Sequence, residues 1–100
     1  MILPKFRRPT TPGDMIVHEF LSPLRITQAQ LADAMQISRV RVNALLNGRR
    51  GVTPDTARRL ERVFGMSAAF WLRLQISVDL WDAEHAENAA DLKGLRKLVS

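Results

Sequence analysis

The sequence predicts an all-α domain of five helices around one core, with the last helix the longest. Three observations predict it. Apolar residues recur at helical spacing and no strand alternation of substance occurs. Thr11, Thr27, Ser38, Thr53 and Ser67 each stand where a helix N-cap belongs, before an apolar-periodic run. The length of 100 residues suffices for one core and not for two.

Taken in order, residues 1–11 lack periodicity and hold Pro4, Lys5, Arg7, Arg8 and Pro9, which reads as an extended basic arm. Such an arm either reaches phosphate or a minor groove, or is a terminus with little order of its own. Helix one is expected over 12–22, capped by Thr11, started by Pro12 and ended by Pro23, with Met15, Ile16, Phe20 and Leu21 inward. Helix two, 28–35, begins at a capping box formed by Thr27 and Gln30 and buries Leu31, Ala32 and Met35. Helix three, 39–47, follows the Ser38 cap and is stopped by Gly48, with Val42 and Leu45 inward. This pair, TQAQLADAMQISRVRVNALLNG, has the spacing of a helix-turn-helix, whose second helix docks in the major groove of DNA. Gln36 occupies the turn position that usually holds Gly, at a penalty of roughly 1 kcal/mol.

Helix four is expected over 54–64 with Ala57, Leu60, Val63 and Phe64 inward and Gly65 as its stop. Helix five starts at Ala68 and meets no Gly or Pro until Gly94, so it is expected to run to about residue 90, leaving 91–100 as a weak tail. It carries two apolar stripes. Trp71, Leu74, Val78 and Trp81 form a coiled-coil-like line, which predicts a dimer interface; Leu72, Ile76, Leu80 and Ala83 lie on another side. The alternative is that both stripes complete the core of a single chain.

Charge is distributed unevenly. Residues 39–62 carry seven arginines against Asp55 and Glu61, a local +5, whereas 79–91 hold Asp79, Asp82, Glu84, Glu87 and Asp91 with no Lys or Arg, a local −5. Such asymmetry suits one face for a polyanion and another kept away from it. The DNA-facing set expected from helix geometry is Gln28, Ser38, Arg39, Val40, Arg41, Asn43, Ala44, Asn47, Arg49 and Arg50. Arg39, Val40 and Ala44 are placed to read bases, since Arg can grip a guanine edge and a small apolar group can meet a thymine methyl. Asn43 either reads adenine or braces the following loop; Arg41 faces either phosphate or solvent. Gln28, Asn47, Arg49 and Arg50 suit backbone contacts.

Other chemistries find little support. With no cysteine there is neither a disulfide framework nor a thiolate metal site. His18-Glu19 and Glu84-His85 lack the spacing of a metal-binding His pair, and Ser22, Ser38, Ser67 and Ser77 lack a nucleophile elbow. No enzyme activity, metal or cofactor is expected. No apolar run approaches the roughly 20 residues that span a bilayer, and the first residues lack a signal-peptide core, so a cytoplasmic location is expected.

RPTTPGDMI with HEFLSPL, SRVRVNALLNGRRGVTPDTARRL and FGMSAAFWLRLQISVDLW together resemble the HigA antitoxins, the VapI-type group of the XRE helix-turn-helix family, from about Arg8 to His85. The resemblance implies a lambda-repressor-like fold and a homodimer that represses its own operon at a palindromic operator. It also implies neutralisation of a HigB-type ribosome-dependent ribonuclease. Thr11 stands where histidine is common in that family. A basic ribonuclease would suit the acidic end of helix five, or the first helix. A free-standing XRE-type regulator without a toxin partner is the alternative, and a purely structural dimerisation module is a third.

Overall fold

The computed structural model describes residues 7–100. Five helices follow in the expected order. Helix α1 covers 12–24 in three continuous pieces: an α-helical Pro12–Ile16, a π-turn Val17–Leu21 and a final turn Ser22–Leu24. Helix α2 is Gln28–Met35, α3 Arg39–Leu46, α4 Pro54–Phe64 and α5 Ala68–Glu84, with a 3-10 turn at Ala89–Gly94. All five expected caps form: the side chains of Thr11, Thr27, Ser38, Thr53 and Ser67 accept from the backbone N–H three residues on, and Gln30 closes the capping box.

Pro23 does not end α1, contrary to expectation. Proline lacks an N–H and its ring crowds the carbonyl four residues back, and the wider π-turn accommodates both effects. Ser22 N–H bonds Val17 O instead, five residues back. The stop comes at Arg25, in the left-handed region at φ 55°.

The core gathers where α1, α2, α3, α4 and α5 converge. Ile16, Leu31, Met35, Val42, Leu60 and Trp71 are its largest fully covered side chains. Phe20 of α1 stacks on Phe64 of α4 at 4.2 Å between ring centres, and both tilt against Trp71 at 6.2 and 6.3 Å. Phe70 meets the same indole edge-on at 5.3 Å. Gly13 lets the first turn of α1 lie directly on the carbonyl end of α3. A Cβ there would press into the Leu46 carbonyl and come within 2.9 Å of the Leu45 oxygen.

Two expectations about α5 are corrected. It ends at Glu84 rather than near residue 90. Asp82 and Glu84 crowd its last turn, where the helix dipole favours cations, and the His85 ring donates from Nδ1 to the Trp81 carbonyl at 2.8 Å. The line Trp71, Leu74 and Val78 is buried within the chain's own core. The aromatic rings of α1 and α4 lie against Trp71, and Leu74 and Val78 are likewise little exposed, so these three side chains are not available as a dimer interface. Trp81 lies just beyond, half-buried and stacked under His85 at 3.8 Å.

Candidate nucleic-acid interface

The reading surface is built from the heads of α2 and α3 and the loop behind α3. Ser38 Oγ accepts from Arg41 N–H at 3.1 Å and so fixes the first turn of α3. That turn presents Arg39 and Val40 outward, Val40 being 78% exposed. Among the described residues, nothing covers this valine.

Asn43 is the hub of a polar network across this surface. Its Nδ2 donates to Gln28 Oε1 at 3.4 Å, and its Oδ1 accepts from Asn47 Nδ2 at 3.0 Å and Arg49 Nη2 at 2.6 Å. The network ties the start of α2 to the loop after α3, which is the bracing role of the two read for Asn43. Gly48, at φ 75°, turns the chain so that the N–H groups of Arg49 and Arg50 return to the Ala44 carbonyl at 2.9 and 3.2 Å.

Two members of the expected set point elsewhere. Ala44 is buried against the core side of α3, so its methyl cannot meet a base; its carbonyl closes the loop instead. Arg41 turns back to α4, donating to Asp55 Oδ2 at 3.3 Å and Thr56 Oγ1 at 3.2 Å. Its guanidinium is thus engaged within the fold, with 34% of the side chain still exposed. Gln28, Ser38, Arg39, Val40, Asn43, Asn47, Arg49 and Arg50 remain on the surface, with Asn43 half-buried.

Asp55 also accepts from Arg59 Nε at 2.9 Å. That hydrogen bond holds the Asp55 carboxyl below its ordinary pKa against an opposing desolvation effect, with further help from Arg41. Two of the seven arginines between 39 and 62 thus share one carboxylate within the fold. Among the described residues, no ion pair engages Arg39, Arg49, Arg50, Arg58 or Arg62, and Arg39, Arg49 and Arg50 lie on the reading surface.

Sequence reasoning missed the residues that hold this surface in place. Gln36 is left-handed at φ 56°, ψ 47°, and Arg59 Nη1 caps the strained turn by donating to the carbonyls of Met35 at 2.7 Å and Gln36 at 3.5 Å. Gln75 of α5 accepts from Val52 N–H at 2.8 Å and lies against Gly51. Arg8 clasps Asp82 through two bonds of 2.9 and 2.8 Å, which ties the arm to α5 and pulls the Asp82 pKa down. Only the Asp55–Arg59 spacing of four carried a local signal; the other pairings join residues far apart in sequence. The arm residues Pro4 and Lys5 lie outside the described residues.

Among the described residues no group of three His, Asp or Glu side chains could hold a metal ion, and no helix is long and apolar enough to cross a membrane.

A compact helix pair with a left-handed turn, a capped second helix and arginines without ion pairs at its head and in the loop behind it defines a helix-turn-helix DNA-binding protein. A helix-turn-helix family model matches residues 20–71. Antitoxin HigA-1 of Vibrio cholerae is 44% identical over 80 residues, covering 79% of this chain and 74% of that protein. The structure of Pseudomonas aeruginosa antitoxin HigA with the higBA promoter aligns at a TM-score of 0.83 and 36% identity, over 92% of this chain and 100% of that one. Antitoxin GraA in complex with its operator aligns at 0.84 and 32% identity, over 99% and 100%. The chain belongs to the HigA/GraA-type antitoxins of the XRE helix-turn-helix family. Members of this family are DNA-binding regulators and antitoxins, not enzymes.

Proposed function

We propose that this chain is the antitoxin of a type II toxin-antitoxin system. It acts in the cytoplasm, neutralises a HigB-type ribonuclease and represses its own operon as a homodimer on operator DNA. The observation that carries the DNA half is the head of α3: Arg39 and Val40 stand outward beside the Asn43-centred network, with no partner among the described residues that would explain them. In this reading Arg39 and Val40 read bases, while Gln28, Ser38, Asn43, Asn47, Arg49 and Arg50 hold the backbone. Residues 12–90 form the DNA-binding and dimerising unit, with 1–11 as an arm and 91–100 as a tail. A two-fold pair would place its α3 helices in successive major grooves about 34 Å apart. Relatives solved with promoter or operator DNA support this half; the toxin and the homodimer follow from the family.

The test is to co-express the chain with its neighbouring open reading frame, pass the product through size exclusion, and titrate its own promoter DNA. Co-elution with a small basic protein that is toxic alone is expected. Arg39→Ala is expected to lose roughly 1–3 kcal/mol on the operator and to relax preference at one base position. Arg49→Ala is expected to weaken all sequences alike and flatten the salt dependence. A lone chain that still shifts its promoter would make it a free-standing regulator. Equal losses for Arg39→Ala on operator and random DNA would remove Arg39 from base reading.

A further inference from the structure

The loop between α3 and α4 carries Arg49 and Arg50 between two glycines, Gly48 and Gly51. Each glycine adds conformational freedom that a fixed contact must remove. The two guanidiniums have no ion-pair partner among the described residues and repel each other. The Ala44 carbonyl ties the α3 end of this loop. Helix α5 ties the other end, where Val52 is buried and its N–H donates to Gln75 Oε1 at 2.8 Å. One helical turn further along α5, Asp79 Oδ1 accepts from Gln75 Nε2 at 2.9 Å. With its nitrogen committed to a carboxylate, the Gln75 amide turns its oxygen to the loop, as the Val52 donor requires. Gly51 admits the amide: a Cβ there would stand 3.0 Å from Gln75 Cδ and 3.2 Å from both Oε1 and Nε2. Residue 51 is not left-handed, so the close approach of Gln75 is what glycine serves there. The packing of α5 does not need this amide, which is half-buried beside the buried Leu74 and Val78.

We propose that Gln75, oriented by Asp79, is a positioning residue for DNA-backbone binding. It acts through Val52 and Gly51 to hold Arg49 and Arg50 in place before DNA arrives, which lowers the ordering cost of the contact. The inference rests on the DNA-binding reading above and extends its machinery to a residue of α5. Because the loop serves phosphates rather than bases, the effect is the same on every sequence.

The experiment measures affinity for promoter DNA and for random DNA over a salt series, with thermal melting by circular dichroism as the control for folding. Gln75→Leu is expected to weaken both DNAs by the same factor, about fivefold or more, and to lessen the salt slope by about one. In a chain carrying Arg49→Ala and Arg50→Ala, adding Gln75→Leu is expected to change nothing further. Gly51→Ala crowds the amide without removing it and is expected to repeat the effect, which keeps the test open where Gln75→Leu does not fold. The exchange of Gln75→Glu together with Asp79→Asn keeps the net charge and an acceptor for Val52, and reverses donor and acceptor between the pair. It is expected to restore the parent's affinity and slope. A folded Gln75→Leu chain that binds like the parent overturns the inference, as does a loss that persists without the two arginines. A loss confined to the promoter would place the effect in the reading head and also overturn it. In all three cases the parent still binds DNA and the DNA reading stands. A parent that binds neither DNA overturns that reading and the inference together.

Discussion

Helices α3 and α5 both turn one face inward and one outward, but they leave opposite kinds of surface in water. Helix α3 buries Val42, Ala44 and Leu45 and exposes Arg39, Val40 and the polar network around Asn43. Helix α5 buries Trp71, Leu74 and Val78 and exposes Ile76 and Leu80. An exposed cation needs no covering and suits a polyanion; an exposed apolar stripe raises the free energy of the isolated chain until another apolar surface covers it. The two helices are also anchored differently. Hydrogen bonds and ion pairs hold α3 at its edges, whereas an aromatic cluster holds α5 in its first turn.

The largest effect is expected where α5 meets that cluster. Trp71→Ala removes a fully covered indole from between Phe20, Phe64 and Phe70 and should reduce stability by about 3–5 kcal/mol. Urea denaturation at several protein concentrations checks it. A loss independent of concentration is expected, because the inner stripe belongs to the chain's own core. A loss that disappears at high concentration would return Trp71 to an interface and break the contrast between the inner and outer faces of α5.

A smaller effect is expected where α1 supports the reading helix. Gly13→Ala forces a methyl against the carbonyls of Leu45 and Leu46, so α1 and the end of α3 must separate, at about 1–3 kcal/mol. The shift reaches the loop that carries Arg49 and Arg50. Operator affinity should therefore fall along with the melting temperature. Unchanged operator affinity in a less stable protein would show that α3 holds its reading geometry without α1.

The contrast explains which parts of the molecule were legible in the sequence. Caps and stops are local: Thr27 needs only Gln30 three residues on, and Gly48 and Gly65 adopt positive φ as their positions demand. The helix-turn-helix and its exposed head followed from such signals. The stripes of α5 did not sort themselves, because helical spacing shows two apolar faces, and contacts from residues far away in sequence, Phe20 on Trp71 among them, decide which one is inside. Arg41 was misplaced for the same reason. Nothing near it in sequence announces Asp55 and Thr56, fourteen and fifteen residues on, as its partners. Ala44 was assigned to DNA from its helical position, while the return of the loop to its carbonyl arises from Gly48.

The smallest effect concerns acid, and it separates the two modes of anchoring. The Asp55 carboxyl is held below its ordinary pKa chiefly by the Arg59 hydrogen bond and further by Arg41. A carboxylate with a depressed folded pKa contributes stability that is complete above its unfolded value, 3.8, and is lost as pH falls through the lower folded value. Asp55 is exposed, so solvent screening keeps the contribution modest. Asp55→Asn should therefore lower stability slightly at neutral pH and flatten its decline in acid, most visibly below pH 3.8. Urea midpoints followed from neutral pH into that range check it, with Trp71→Ala as the reference. Trp71 carries no titratable group, so its variant should run parallel to the parent at every pH. Parallel curves for Asp55→Asn as well would mean that Arg41 and Arg59 hold α3 and the Gln36 turn without their shared carboxylate. The reading head would then be anchored by packing, as α5 is.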